Sequence, residues 1–269
     1  MLNLLGMPPV ASTHGAEIDN LIVLVHWLML VLFVGWGAFF VYVLARFRKG
    51  ANPRADYTGA KGKFAKSIEI AVVVVEAVLL LFYAIPAWAT RVSQFPSASD
   101  NSVVQVRVIA EQFAWNIHYA GPDGKFGRTD GKLVSSDNPI GLDKKDPDAK
   151  DDITEINQLT LPVNRPILVH LTSKDVIHSF GLYEMRVKQD AIPGLDIPVW
   201  FIPNVTTDEM RAQLNKPDFN YEITCSQLCG LGHFRMRGFV NILTDAAYQK
   251  FMADEAKDQH PAAAAPGAN

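Results

Sequence analysis

The chain has 269 residues, 49% of them hydrophobic, with only two cysteines and a formal net charge of −3 at pH 7. That length holds one large domain, or one domain with an appendage. The acidic balance argues against nucleic acid as a partner, because a nucleic-acid surface needs a basic face.

The apolar residues are unevenly placed. Residues 1–20, "MLNLLGMPPVASTHGAEIDN", carry no Lys or Arg and form an outer N-terminal segment. The run that follows, 21–44, "LIVLVHWLMLVLFVGWGAFFVYVL", therefore lacks the basic flank of a cleaved signal peptide. A second run, 67–89, reads "SIEIAVVVVEAVLLLFYAIPAWA". About twenty helical residues cross the roughly 30 Å hydrocarbon core of a bilayer, so both runs are predicted to be transmembrane helices forming a hairpin. His26 and Trp27 fall near the outer end of the first, where amphipathic rings settle. Between the runs, 45–66 carries Arg46, Arg48, Lys49, Arg54, Lys61, Lys63 and Lys66 against the single acid Asp56, which makes it the cytoplasmic loop. Both termini and everything past the second helix then lie on the outer side. Residues 91–269 hold 23 Asp and Glu against 18 Lys and Arg, a balance that suits a basic protein partner.

The second helix carries two acids, Glu69 and Glu76. Carboxylates inside membrane helices are rare and face a protein partner or water. Seven residues are about two turns, so the pair shares one helix face, roughly 10 Å apart along the axis.

After a linker, 90–102, residues 103–244 read as short strands separated by turn residues: "VVQVRVIAEQFAWNIHYAG", "EINQLTLPVNRPILVHLTS", "VIHSFGLY", "VWFIPN", "FNYEITCS" and "MRGFVNILT". Between the first two lies an excursion rich in Gly, Asp, Pro and Lys, whose acids over 143–152 read as solvated surface. Such strands without amphipathic helices between them predict an all-β Greek-key sandwich. Residues 245–269 are expected to form a short helix and a flexible tail, with His14 and His260 in flexible ends.

Both cysteines lie in "CSQLCGLGHFRM", Cys225 to Met236, as a Cys-x3-Cys-x3-His-x2-Met series. A disulfide closing so short a loop is geometrically demanding and constrains the unfolded chain little. Thiolate and thioether are soft ligands that select copper over hard cations, and zinc is poorly served by a thioether. A mononuclear blue-copper site uses two histidines, one cysteine and a weak methionine, so one cysteine is in excess. Two thiolates can instead bridge two copper ions, each completed by one histidine and one weak ligand. That requires a second histidine, and His118, His170 and His178 are the candidates. His118 ends an aromatic strand, His170 also fits the solvent face of an alternating strand, and His178 ends a strand and opens a loop.

The segments "DVIHSF", "VKQDAIPG" and "CSQLCGLGHFRM", after two apolar runs and an aromatic "QFAWNIHY" strand, closely resemble subunit II of haem-copper cytochrome c oxidases from Leu21 to Thr244. The resemblance implies a cupredoxin-like domain in which His178, Cys225, Cys229, His233 and Met236 hold dinuclear copper A, and Gln227 offers its backbone carbonyl as the remaining weak ligand. The family usually has glutamate there, whose side chain helps bind magnesium against subunit I; Gln227 brings no carboxylate to that contact. Phe113 stands where the family has an exposed tryptophan that receives electrons from cytochrome c, and Trp115 matches the second tryptophan of that cluster. Entry is then expected through Phe113, Trp115 or a neighbouring surface aromatic. Glu69, seventeen residues before Pro86, has the spacing of a family glutamate at the cytoplasmic mouth of a proton channel in subunit I, with Glu76 facing that subunit. Val72, Val73 and Glu76 replace the family's Trp-Thr pair and helix proline.

Implied throughout is a respiratory oxidase component of a bacterial-type inner membrane, with its copper domain periplasmic. Its partners would be subunit I, subunit III and cytochrome c or another haem c donor. The alternative is a membrane-anchored copper-binding assembly module, which should leave its site under-coordinated so that metal can be released.

Overall fold

The computed structural model describes every residue except 1, 52–53, 55–56, 58–61 and 261–269, and leaves the side chain of Asn3 undescribed. The expected tail beyond His260, and Asp56 and Lys61 of the basic loop, lie outside the described residues. The chain divides into a helical unit containing Glu17–Ser93 and a β unit made of Pro8–Ala16 and Gln94 onward.

In the helical unit, α1 (Gly15–Arg46) begins six residues before the apolar run. Glu17 in its first turn and Arg46 in its last complement the helix dipole, which lets the polar flanks stay helical. The second span comprises α2 (Lys63–Leu79), a π-turn (Leu80–Ala84) and α3 (Ile85–Val92). Pro86 has no N–H to return to the preceding turn, and the helix widens immediately before it. Both spans are long and apolar enough to cross a membrane, at 32 and 30 residues, with mean hydropathy 2.4 and 2.5 over an 18-residue window of each.

Among its described residues the β unit contains ten strands: β1 (Val104–Glu111), β2 (Ala114–Tyr119), β3 (Ile153–Ile156), β4 (Gln158–Pro162), β5 (Ile167–Ser173), β6 (His178–Leu182), β7 (Val187–Ala191), β8 (Ile197–Phe201), β9 (Tyr221–Cys225) and β10 (Arg237–Leu243). They form two sheets, ordered β3-β2-β1-β5-β8 and β4-β10-β9-β6-β7. The pairs β1–β5 and β4–β10 are parallel in otherwise antiparallel sheets. Alternation drives the packing. On β1, Val104, Val106 and Val108 point inward while Gln105 and Arg107 do not. They meet Trp115 and Ile117 of the same sheet and Leu159, Phe180, Ile223 and Ile242 of the other in one core. Each such side chain, fully buried, contributes about 1.5–3 kcal/mol relative to exposure. Two long apolar helices followed by a cupredoxin-like β-sandwich is the expected architecture.

Four features depart from expectation. Strand β7 is added; its "VKQDA" sequence is too polar to signal a strand, and it forms by pairing with β6. A helix, α4 (Thr207–Leu214), interrupts the strands, held by a capping box in which Thr206 and Glu209 satisfy each other's backbone N–H groups. The excursion over 120–152 is folded rather than loose: it carries two short 3₁₀ turns and a small core of its own, Ile140, Leu142 and Ala149 against Ile109. Pro8–Ala16 is part of the β unit, because Ala11 N–H donates to the Glu184 carbonyl (2.7 Å), Thr13 N–H to Ile202 (3.0 Å) and Asn204 N–H to Ala11 (3.0 Å). His14 is accordingly buried rather than flexible. At the other end α5 (Asp245–Gln259) packs on β3, β4 and β10, and His260 Nε2 bonds the Asp152 carbonyl at 2.6 Å.

Candidate metal centre

Strands β6 and β9 run antiparallel with Phe180 opposite Cys225. His178, two residues before Phe180, therefore lies beside the chain leaving Cys225. That chain, residues 226–236, is the β9–β10 connection. It is wound tightly: His233 N–H donates to Gly230 O, Arg235 N–H to Gly232 O and Met236 N–H to His233 O, each at 3.1 Å. A 3₁₀ turn over His233–Arg235 presents the imidazole, and the Cys225 N–H closes on the Met236 carbonyl at 3.4 Å.

The donor atoms converge. Sγ of Cys225 and Sγ of Cys229 are 3.8 Å apart as free thiols. Nδ1 of His178 lies 3.9 Å from the first sulfur and Nδ1 of His233 lies 3.6 Å from the second. The weak donors divide in the same way, with the Gln227 carbonyl 3.2 Å from Cys225 Sγ and Met236 Sδ 3.7 Å from Cys229 Sγ. Each thiol thus has one imidazole nitrogen and one weak donor at its side. Among the described residues, His178, Cys225 and Cys229 form the one His/Cys/Asp/Glu group close enough to hold a metal ion.

Burial pushes the Cys229 thiol up to about 11, and the neighbouring Cys225 sulfur adds to the rise. Left to itself the Cys229 thiol stays protonated, whereas a bound metal ion makes thiolate the favoured form. Two sulfurs, two imidazoles, a thioether and a carbonyl make a soft donor set that suits copper and is ill matched to a hard cation.

His178 is oriented by its other nitrogen. Nε2 bonds Oδ1 of Asp175 at 2.8 Å, and the ring is fully buried with Trp115 edge-on at 6.2 Å. Burial of Asp175 opposes its charge, but the bonds from His178 and from the backbone N–H groups of Gln112 and Val176 prevail and hold its carboxyl below the usual range.

The other two candidate histidines lie elsewhere. His118 bonds Asp152 at 2.7 Å with both side chains fully buried, and His170 pairs with Asp196 at 3.1 Å. Trp115 is fully buried, packed on His178 and Phe180. Phe113 is half-buried with its ring against the ligand loop: a Cβ on Gly232 would come within 2.3 Å of its Cδ2. The side chain of Gln227 is exposed, as are Glu69 and Glu76 on α2. In the acidic segment 143–152, Asp143 pairs with Arg128, while Asp152 is not surface at all but buried against His118. Sequence reasoning missed Asp175 and Gln112. For Asp175 a signal was available, a carboxylate three residues before the candidate ligand in "DVIH"; for Gln112 there was none.

A family model described as "Cytochrome C oxidase subunit II, periplasmic domain" matches residues 104–243, just over half of the chain. Among curated relatives, an "Alternative cytochrome c oxidase subunit 2" of Bradyrhizobium diazoefficiens is 27% identical over 92% of this chain and 83% of its own length. The "Cytochrome c oxidase subunit 2" of Cereibacter sphaeroides is 26% identical over 92% of this chain and 78% of its own. Among solved structures, the periplasmic domain of cytochrome oxidase subunit II from Bradyrhizobium japonicum is 24% identical, covering 61% of this chain and 99% of that one, with a TM-score of 0.41.

Proposed function

The chain belongs to the cytochrome c oxidase subunit II family, and on that premise we propose that it is the electron-entry subunit of a respiratory oxidase. It takes electrons from reduced cytochrome c, or another haem c donor, and passes them to the haem and copper centres of subunit I, where oxygen is reduced and protons are translocated. Subunit III completes the assembly.

The observation that carries this reading is the paired sulfurs, 3.8 Å apart, each flanked by its own imidazole Nδ1. His178, Cys225, the Gln227 carbonyl, Cys229, His233 and Met236 would hold dinuclear copper there. Bound copper would supply a one-electron couple shared by both ions, so that no single bond changes much with the charge. The protein's part is to fix the donors in advance, on strand ends and a hydrogen-bonded turn, and to keep water from the buried sulfur. Six protein donors for two ions leave substrate no position of its own, which favours a relay over a site of oxygen chemistry and disfavours a carrier that must release metal. Magnesium at the subunit I contact has no carboxylate from Gln227, so this chain contributes at most an amide there.

The hydrogen bonds that hold Pro8–Ala16 in the β unit support a topology with both termini outside: the chain leaves that unit, runs through both apolar spans and returns to it. The described bases at the facing ends of the spans and between them, Arg46, Arg48, Lys49, Arg54, Lys63 and Lys66, support a cytoplasmic loop in a bacterial-type inner membrane. Glu69 then lies toward the cytoplasmic end of α2, as proton admission requires, with Glu76 about two turns further out.

Stopped-flow mixing of the copper-loaded chain with ferrous cytochrome c tests the function. The expected result is uptake of one electron for every two copper ions, abolished in Cys225→Ser. Uptake of one electron per copper ion, or none, contradicts it.

A further inference from the structure

Both halves of the donor set are tied to one residue that is not a candidate ligand. Gln112 sits in the turn between β1 and β2. Its backbone N–H donates to Oδ2 of Asp175 at 2.7 Å, while Oδ1 of the same carboxylate holds Nε2 of His178 at 2.8 Å. Its side-chain Nε2 donates to the carbonyl of Cys229. The backbone bond reaches the histidine that β6 contributes from one side of the site. The side-chain bond reaches the loop that contributes the second thiol from the other. A closed circuit results, running from Gln112 through Asp175 and His178, across the two sulfurs and back through the Cys229 backbone.

The ligand loop is shaped to receive this turn. Gly230 has φ +131°, and a Cβ there would meet Gln112 Nε2 at 2.6 Å; a Cβ on Gly232 would meet the Phe113 ring at 2.3 Å. The two glycines between Cys229 and His233 are therefore where the β1–β2 turn presses on the loop. The Asp175 carboxylate is spoken for on both oxygens, with Oδ1 also accepting the Val176 N–H at 2.6 Å. A carboxylate held so firmly can turn the His178 ring so that Nδ1, rather than Nε2, faces the sulfurs.

We propose that Gln112 is a positioning residue for the metal centre, clasping the His178 side and the Cys229 side in the geometry that both metal-bearing halves require. The proposal rests on the copper reading above. It assigns Phe113 a part in the same clasp, as the ring that fills the space over Gly230 and Gly232.

The test compares the full chain with Gln112→Met, which keeps the side-chain length and the backbone bond to Asp175 but removes the donor to Cys229. Amide exchange in the metal-free proteins is expected to rise about tenfold across residues 226–236 and to stay unchanged in β1, β5 and β10. In the copper-loaded proteins, loss of copper to a chelator is expected to be about tenfold faster, the lower end of what loss of an outer-shell partner costs a metal site. Gln112→Lys, which restores a long donor, should return both values toward the parent. Unchanged loop exchange with an unchanged chelator rate overturns the proposal, and so does a rise in exchange spread evenly over the whole sandwich, which marks Gln112 as a general fold residue. The metal-free arm reads the clasp without copper. Failure of the parent itself to bind two copper ions is thereby separate, and counts against the copper reading alone.

Discussion

The β unit contains two buried histidines that each bond a carboxylate, one fully buried and one partly exposed, and the two pairs are opposite in use. His118 and Asp152 meet at 2.7 Å, and His178 and Asp175 at 2.8 Å; both imidazoles are fully buried. The difference lies at the second ring nitrogen. Nδ1 of His178 faces Cys225 Sγ, whereas Nδ1 of His118 has no hydrogen-bond partner among the described residues. The first carboxylate aims a donor at two sulfurs. The second is a knot for the chain: Asp152 also accepts the Gly127 N–H at 2.8 Å, and its carbonyl receives His260, so it ties the excursion and the end of α5 to β2. A buried imidazole with a carboxylate behind it is thus half of a metal ligand, and what stands in front of the ring decides the rest.

The largest effect that could break this contrast comes from truncating each histidine in turn. His178→Ala should weaken copper retention by more than about 100-fold, beyond the range of an outer-shell change. His118→Ala should leave the copper spectrum intact and lower unfolding stability by roughly 3 kcal/mol, because Asp152 stays buried without its partner. Denaturant titration and copper stoichiometry on both variants decide the matter, and a disturbed copper signal in His118→Ala would sink the distinction.

A smaller effect sharpens the claim that the ligand loop is shaped by its cover. Gly232→Ala should cost about 1–3 kcal/mol through overpacking against Phe113, and adding Phe113→Ala should recover most of it. Two costs that simply add in the double variant would show that the ring and the glycine do not meet.

The smallest effect belongs to the contact between β3 and α5. Burial raises the Glu155 carboxyl from the ordinary 4.5 to about 7, with Glu255 of α5 adding to the rise. The folded protein then holds a proton that the unfolded chain has released across that window, so the attachment of α5 is strongest below 4.5 and weakens as the pH rises to about 7. Partial exposure makes the effect small. Intrinsic-rate-corrected amide exchange in α5 should quicken across the window, and Glu155→Gln should flatten the dependence; an unchanged slope in that variant would remove Glu155 as its source.

The thiols, His233 and Met236 were legible because one connection of 226–236 carries them, and local spacing reports local geometry. By residue type His178 was one of three candidates, and only the family resemblance singled it out. What selects it is the pairing of Phe180 with Cys225, a contact across 45 residues that no periodicity encodes. The apolar spans and most strands announced themselves by composition and alternation. Those that did not were elements fixed from outside: β7 by its partner strand, and Pro8–Ala16 by hydrogen bonds to residues more than 170 positions away. Helix α4 is a different case, since its Thr206–Glu209 capping box is a signal carried by the sequence itself. Gln112 left no trace at all, because its role depends on a backbone carbonyl and on two glycines that yield space.

The central claim is that the two sulfurs hold two copper ions as one electronic unit. Electron paramagnetic resonance of the copper-loaded chain, with one electron removed from the pair, tests it most directly. The account predicts hyperfine structure from two equivalent copper nuclei. Splitting from a single copper nucleus would contradict it.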